Sequence, residues 1–382
     1  MGRCIDQVSP SSAGPAPERT GTKEVVSDGE EAISLLEDLV AIPSPSRQEH
    51  EASACLVDWL GRHCFDAHLD DVGNAVGQRG DGPREVLLLG HIDTFPGELP
   101  VYRNGEWLYG RGTVDAKGPL CAFTSAAATV DVPGGWRVVV VAAVEEEAPT
   151  SRGARYRASL DGRPEYCVIG EPSGWDRITL GYKGVLLARV RLRLPYSHSA
   201  GRDRLPAEIA VECWNAMVNY CHRVNAERDR EFQRLSPFLR RIATTDEGAY
   251  GTAELEAGFR LPLDIATPDL EPVLHDILES AAAGQYEWEV VNREEAFMGQ
   301  KNSPLVRAFL AAIREQQARP RFVLKTGTTD MNIVGPVWGC PIVAYGPGDS
   351  ALDHTPEERI HLGEYWQSIK VLKSMLDTLM AS

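Results

Sequence analysis

With 39 Lys and Arg against 55 Asp and Glu, the 382-residue chain has a formal net charge of −16 at pH 7. That sign argues against a nucleic-acid backbone or an anionic membrane surface as the main partner. Apolar residues make up 43% and charged residues 25%, a globular composition, and the most apolar run, residues 138–144, is one strand long where a membrane span needs ~18 residues.

Residues 1–25 are rich in Ser, Gly, Pro and Thr and read as a disordered leader outside the fold, without the basic-then-apolar build of a secretory signal. A helix follows on Ile33, Leu35, Leu36, Leu39 and Val40, stopped by Pro43, and a second is predicted over residues 49–64. Near-continuous Val and Leu runs at 85–89, 136–144 and 166–169 predict strands buried on both faces, with an Ala-rich helix at 117–130 between two of them. From residue 185 the pattern changes to alternating apolar residues and Arg, as in a sheet with one wet face. A helix at 206–224, a strand at 251–263, a helix at 270–283 and a strand at 287–291 complete a β-α-β-α-β set. The expected fold class is therefore α/β, a catalytic domain over 26–179 and 297–382 interrupted by a smaller α/β sandwich over 180–296. Residues 303–314 form one more helix before a return to motif-rich loops. None of the eight cysteines forms a C-x-x-C pair, so they read as reduced thiols of a cytoplasmic protein.

His, Asp and Glu concentrate where the buried strands should end. The segments are His91-Ile92-Asp93, Gly110-Arg111-Gly112-Thr113-Val114-Asp115-Ala116-Lys117-Gly118, Glu145-Glu146-Glu147, Glu171-Pro172 and Asp353-His354. One such residue at a strand end is usually a satisfied polar group. Five segments at the edge where α/β sheets place their sites read as one site. Two histidines with several carboxylates make a mixed N/O set suited to zinc, cobalt or manganese. A metal pair needs one bridging ligand and flanking ligands for each ion, and a spare carboxylate to act as general base. This inventory holds enough for all three.

These segments, in this order, resemble the M20 family of di-zinc amidohydrolases over residues 30–380. The resemblance implies a di-zinc α/β catalytic domain carrying an inserted dimerisation domain, and hence a homodimer. It implies His91, Asp115 and Glu171 on one zinc, Asp115 bridging, and Glu146 and His354 on the other. Asp93 would orient His91, and Glu145 would be the base. The family usually has Asp-Glu-Glu where this chain has Val144 before three glutamates. A shift of one residue, with Glu146 as base and Glu147 as ligand, therefore stays open. His198, in Ser197-His198-Ser199, stands where the family sends a histidine across the dimer to the scissile carbonyl. Arg260 resembles the family's carboxylate-binding arginine.

Segments 144–154, 325–332 and 345–350 are most similar to hydrolases that release lysine or ornithine from the terminal Glu of an amino-group carrier protein. That resemblance makes Asp330 and Asn332 substrate-binding candidates, with Asp330 facing the side-chain amine. Because such carriers are acidic, long-range charge would oppose the encounter, and the arginines at 191, 193, 202, 204, 234, 240 and 241 are a candidate local counterweight. A small-molecule N-acyl amino acid deacylase or dipeptidase is the alternative within the family. A catalytically silent binding module is the alternative outside it.

Overall fold

The computed structural model describes residues 28–195 and 203–381. The expected leader, and His198 with its neighbours, lie outside the described residues.

Strands Arg84–His91, Trp136–Ala143 and Tyr166–Gly170 run parallel at the centre of a nine-stranded mixed sheet. Alternation along them supplies two cores at once. Val86, Leu88, Val138 and Val140 join the core under helices Asp28–Ala41, His50–Arg62, Lys117–Thr129, Pro304–Glu315 and Leu362–Met380. Leu87, Leu89, Val139 and Val141 join the core on the opposite face, with Met331, Val334 and Trp338 of helix Asp330–Trp338. Residues at both parities are apolar because both faces are covered.

The chain changes sheets between strand Arg177–Tyr182, which belongs to the large sheet, and strand Gly184–Pro195, which does not. The latter is central in a four-stranded antiparallel sheet ordered Ser236–Glu247, Tyr250–Leu261, Gly184–Pro195, Tyr286–Glu294. Helices Pro206–Val224 and Thr267–Ala282 cover one face and close a separate core around Leu186, Val190, Cys213, Met217, Phe259, Leu274 and Leu278. Arg191 and Arg193 occupy the wet face, as the alternation predicts. The α/β class with a smaller inserted α/β layer is thus the architecture found.

Two expectations need correction. The inserted sheet has a further edge strand, Ser236–Glu247, whose twelve residues are half-buried or exposed throughout, so no apolar run marks it in the sequence. The region after residue 315, expected as loops, contains strands Arg321–Lys325 and Ile342–Tyr345 and helices Asp330–Trp338 and Leu362–Met380. The strands are too short for periodicity to register, and Pro336 lies inside the first helix.

Candidate metal centre and active site

The parallel strands deliver their C-terminal ends to one place. Arg84–His91 ends on His91, Trp136–Ala143 leads into Glu145–Glu147, and Tyr166–Gly170 leads into Glu171. Strand Ile342–Tyr345, parallel to Tyr166–Gly170, feeds the loop that carries His354. Asp115 arrives on the turn before helix Lys117–Thr129. Its conformation needs Gly112, which has φ +85°, and depends on Glu358, whose buried carboxylate accepts from the backbone N–H groups of Gly112, Val114 and Asp115 at 2.9, 3.0 and 3.1 Å. Lys117 anchors the other side, its buried ammonium donating to the carbonyls of Leu39 and Ile42 at 2.8 and 2.6 Å.

Asp115 stands between the histidines. Its Oδ1 is 3.3 Å from His91 Nε2, and its Oδ2 is 3.0 Å from His354 Nε2. Glu171 Oε1 lies 3.9 Å from His91 Nε2, and Glu147 Oε1 lies 2.8 Å from His354 Nε2. Two triads result, His91/Asp115/Glu171 and Asp115/Glu147/His354, each with its donor atoms within 4.8 Å of one another. Tetrahedral ligands ~2.0–2.2 Å from a common ion sit about 3.3 Å apart, so this donor set fits a pair of divalent ions bridged by Asp115. His91 is prepared for the role. Its Nδ1 donates to the Asp93 carbonyl at 2.9 Å, so Nε2, which faces Asp115 and Glu171, is the nitrogen that a metal ion would take.

The three carboxylates of the acidic run face three different ways. Glu145 has φ +59°, a left-handed turn at the end of its strand, and its carboxylate points away from the triads. It accepts from Thr150 Oγ1 at 2.5 Å and lies near Arg47 and Arg152 at 3.6 and 3.7 Å. Glu147, rather than Glu146, joins Asp115 and His354. Glu146 instead lines the cavity beside the centre with no hydrogen-bond partner for its carboxylate among the described residues. Asp93 holds this arrangement by accepting from the N–H groups of Glu146 and Glu147, both at 3.0 Å.

Electrostatics describe a site short of positive charge. Burial first, then neighbouring carboxylates, pushes the carboxyls of Glu146, Glu171 and Asp330 above their ordinary values despite the opposing charge of His91. Burial opposes ionisation of Asp115 as well, but hydrogen bonds from His354 and His91 outweigh it and hold that carboxyl low. The hydrogen bonds to Asp115 and Glu147 raise His354 to about 10. Divalent cations would relieve this crowding.

The remaining candidates divide. A cavity of about 530 Å³ opens from the centre and is lined by Asp115, Glu146, Glu147, Glu171, Tyr182, Arg260, Lys325, Asp353 and His354. Arg260 is one of these lining residues, seated over the Phe238 ring and donating to Thr328 Oγ1. Asn332 is not. Its amide oxygen accepts from the Thr329 N–H at 3.0 Å, and its amide nitrogen donates to the carbonyls of Lys183 and Glu295. Its oxygen thus completes the capping box of helix Asp330–Trp338, its nitrogen is bound to two backbone carbonyls outside that helix, and Thr329 of the box sets its Oγ1 2.7 Å from Glu171 Oε1. Asp330 is 3% exposed at the start of that helix and is not among the cavity-lining residues. Sequence reasoning missed Glu358, which reads as half of an acidic surface pair with Glu357, and Glu49, which accepts from the Glu145 N–H at 3.1 Å.

Residues 87–378 match the peptidase family M20/M25/M40. The [LysW]-lysine hydrolase of Deinococcus radiodurans is 42% identical over 360 residues, covering 92% of this chain and 98% of its own. The [LysW]-lysine/[LysW]-ornithine hydrolase of Saccharolobus islandicus is 27% identical over 361 residues, covering 94% and 98%. Among solved structures, the Bacillus subtilis YXEP protein, a dinuclear metal-binding M20 peptidase, superposes with a TM-score of 0.67 at 14% identity over 93% of this chain and 99% of its own. With the family matched over most of its length and a near-full-length relative above two-fifths identity, the chain belongs to peptidase family M20/M25/M40.

Proposed function

We propose that this protein is a di-zinc amide hydrolase that releases lysine, ornithine or a related amino acid from the terminal Glu of an amino-group carrier protein. One observation carries the chemistry: Asp115 offers opposite carboxylate oxygens to two histidines, with an unengaged carboxylate, Glu146, alongside. Identity to hydrolases of carrier-linked lysine supports the substrate class.

His91, Asp115 and Glu171 would hold one ion, and Asp115, Glu147 and His354 the other. Bound there, the pair supplies Lewis-acid activation of the carbonyl and of the attacking water. Glu146 takes the proton that the water loses and returns it to the leaving amine nitrogen, a task for which its raised affinity for protons suits it. Arg260 holds the free carboxylate of the departing amino acid. His198 is proposed to donate to the developing oxyanion from the partner subunit of a homodimer. The inserted layer would form that dimer, its edge strand Ser236–Glu247 exposing Leu239 and Ile242. The seven described cysteines are all free, which accords with a reducing cytoplasm.

The test is turnover by purified, zinc-loaded protein of carrier-linked lysine and ornithine beside their N-acetyl forms, with mass spectrometry of the product and light scattering for the dimer. Cleavage of the acetyl forms alone moves the function to small-molecule deacylation.

A further inference from the structure

A second opening meets the centre at Glu147. It is a groove of about 880 Å³ whose walls include Ile42, Pro45, Phe95, Leu99 and Val101, and Phe95 stacks on His354 with ring centroids 4.3 Å apart. One cation reaches it from the inserted layer: Arg240. In the edge strand Ser236–Glu247 the register slips between Leu239 and Arg241, so Arg240 is a bulged residue with no partner across the ladder. Bulges turn a side chain out of the sheet's alternation and recur beside active sites. The other described arginines of the expected basic cluster are largely committed elsewhere. Arg191 and Arg193 pair with Glu247, Arg204 with Glu212 and Arg241 with Glu254. The Arg240 side chain is exposed and has no ion pair or hydrogen bond among the described residues.

We infer that this groove receives the acyl half of the substrate and that Arg240 binds a carboxylate on it. The inference rests on the proposed amide hydrolysis and deepens it. Arg260 and the 530 Å³ cavity serve the amino acid that leaves, so the acyl half must extend to the other side of the centre. An acyl group that continues into a protein needs an open channel, and the groove has one. When the γ-carboxyl of a terminal Glu forms the scissile amide, the α-carboxylate of that Glu remains as an anion close to the bond. Of the cations lining the groove, Arg111 pairs with Glu358 and Lys117 is bound to backbone carbonyls, which leaves Arg240 to meet it.

The experiment compares wild type with Arg240→Ala and Arg240→Lys on four lysine amides: carrier-linked, γ-glutamyl, N-succinyl and N-acetyl. All but the acetyl form carry a carboxylate on the acyl side. Arg240→Ala is expected to lower kcat/KM on the three anionic substrates by on the order of tenfold, leave N-acetyl-lysine within twofold, and leave the dimer mass unchanged. Arg240→Lys should recover part of the loss. An equal fall on all four substrates, or no fall on the anionic ones, overturns the inference. Wild type that cleaves the small amides but not the carrier-linked one overturns the carrier reading instead, and the succinyl-to-acetyl ratio still decides the role of Arg240.

Discussion

Asp93 accepts the backbone N–H of Glu147 through Oδ2 at 3.0 Å. Its Oδ1 takes the N–H of Glu146 at the same distance, and the Ser46 hydroxyl donates to Oδ2 at 2.7 Å. The residue that follows His91 by two positions therefore orients more than that imidazole. It clamps the acidic run with Glu145 turned out, Glu146 beside the cavity and Glu147 towards His354. Asp93 is fully buried, so each of these hydrogen bonds is protected from competing water.

The clamp separates the positions of adjacent glutamates. Glu146→Gln should keep both metals and lose turnover by on the order of 10²-fold or more, because the amide cannot accept the water's proton. Glu145→Gln, altering a carboxylate that faces Thr150 and two arginines, should remain within a few-fold of wild type. Steady-state rates with metal analysis of both variants decide it, and the reverse ranking would return the base to Glu145.

Metal content offers an independent check on the register. Glu147→Ala removes one of three donors in the triad with Asp115 and His354. Its zinc content should drop from two ions per chain towards one, whereas Glu145→Ala should retain both. Elemental analysis after dialysis reads the difference.

Asn332→Ala should act through Glu171 without touching substrate. Loss of the capping box costs about 1 kcal/mol of stability. Loss of the Thr329 hydroxyl's fixed position beside Glu171 should weaken metal binding by ~10–100-fold. Urea titration and competition with a chelator measure the two effects. A variant with a raised KM and wild-type metal affinity would place Asn332 at the substrate after all.

Lys117 gives a pH signature. Burial lowers its ammonium to about 8 from an ordinary 10.5, so between those values the native state has shed a proton that the unfolded chain still holds. Stability relative to Lys117→Met should therefore rise as pH increases through about 8 and level off above about 10.5. The full gain is on the order of 3 kcal/mol. Below pH 8 the charged, buried ammonium weighs against the fold, and its neutral form keeps two N–H donors for the carbonyls of Leu39 and Ile42. Unfolding in urea across pH 7–10.5 tests this, and a constant difference between the two proteins refutes it.

The proposed cross-subunit role of His198 predicts complementation. His198→Ala and Glu146→Gln should each lose on the order of 10²–10³ in rate. Mixed and allowed to exchange subunits, they should regain activity, since one site in each mixed dimer would hold both an intact base and an intact histidine. Verified exchange with no recovery would remove His198 from the site.

The sequence by itself determined where the chemistry would gather. Val86–Leu89 and Val138–Val141 are apolar at both parities, which requires a sheet covered on both faces, and polar residues at the ends of such strands can only collect along one edge. His91 and Glu171 were legible for that reason, while the resemblance to the family singled out Asp115 and His354. Tertiary structure alone decided where each neighbour in Glu145-Glu146-Glu147 stands. A left-handed turn at Glu145 and backbone N–H groups donating to a carboxylate more than fifty positions earlier set that arrangement, and neither leaves a mark in local composition. The same holds for Asn332, consumed by a helix cap, and for Glu358, which reaches back 243 positions to the Asp115 N–H. Arg240 is the sharpest case. In sequence it is one arginine among several, and only a slip in strand register turns it towards the groove.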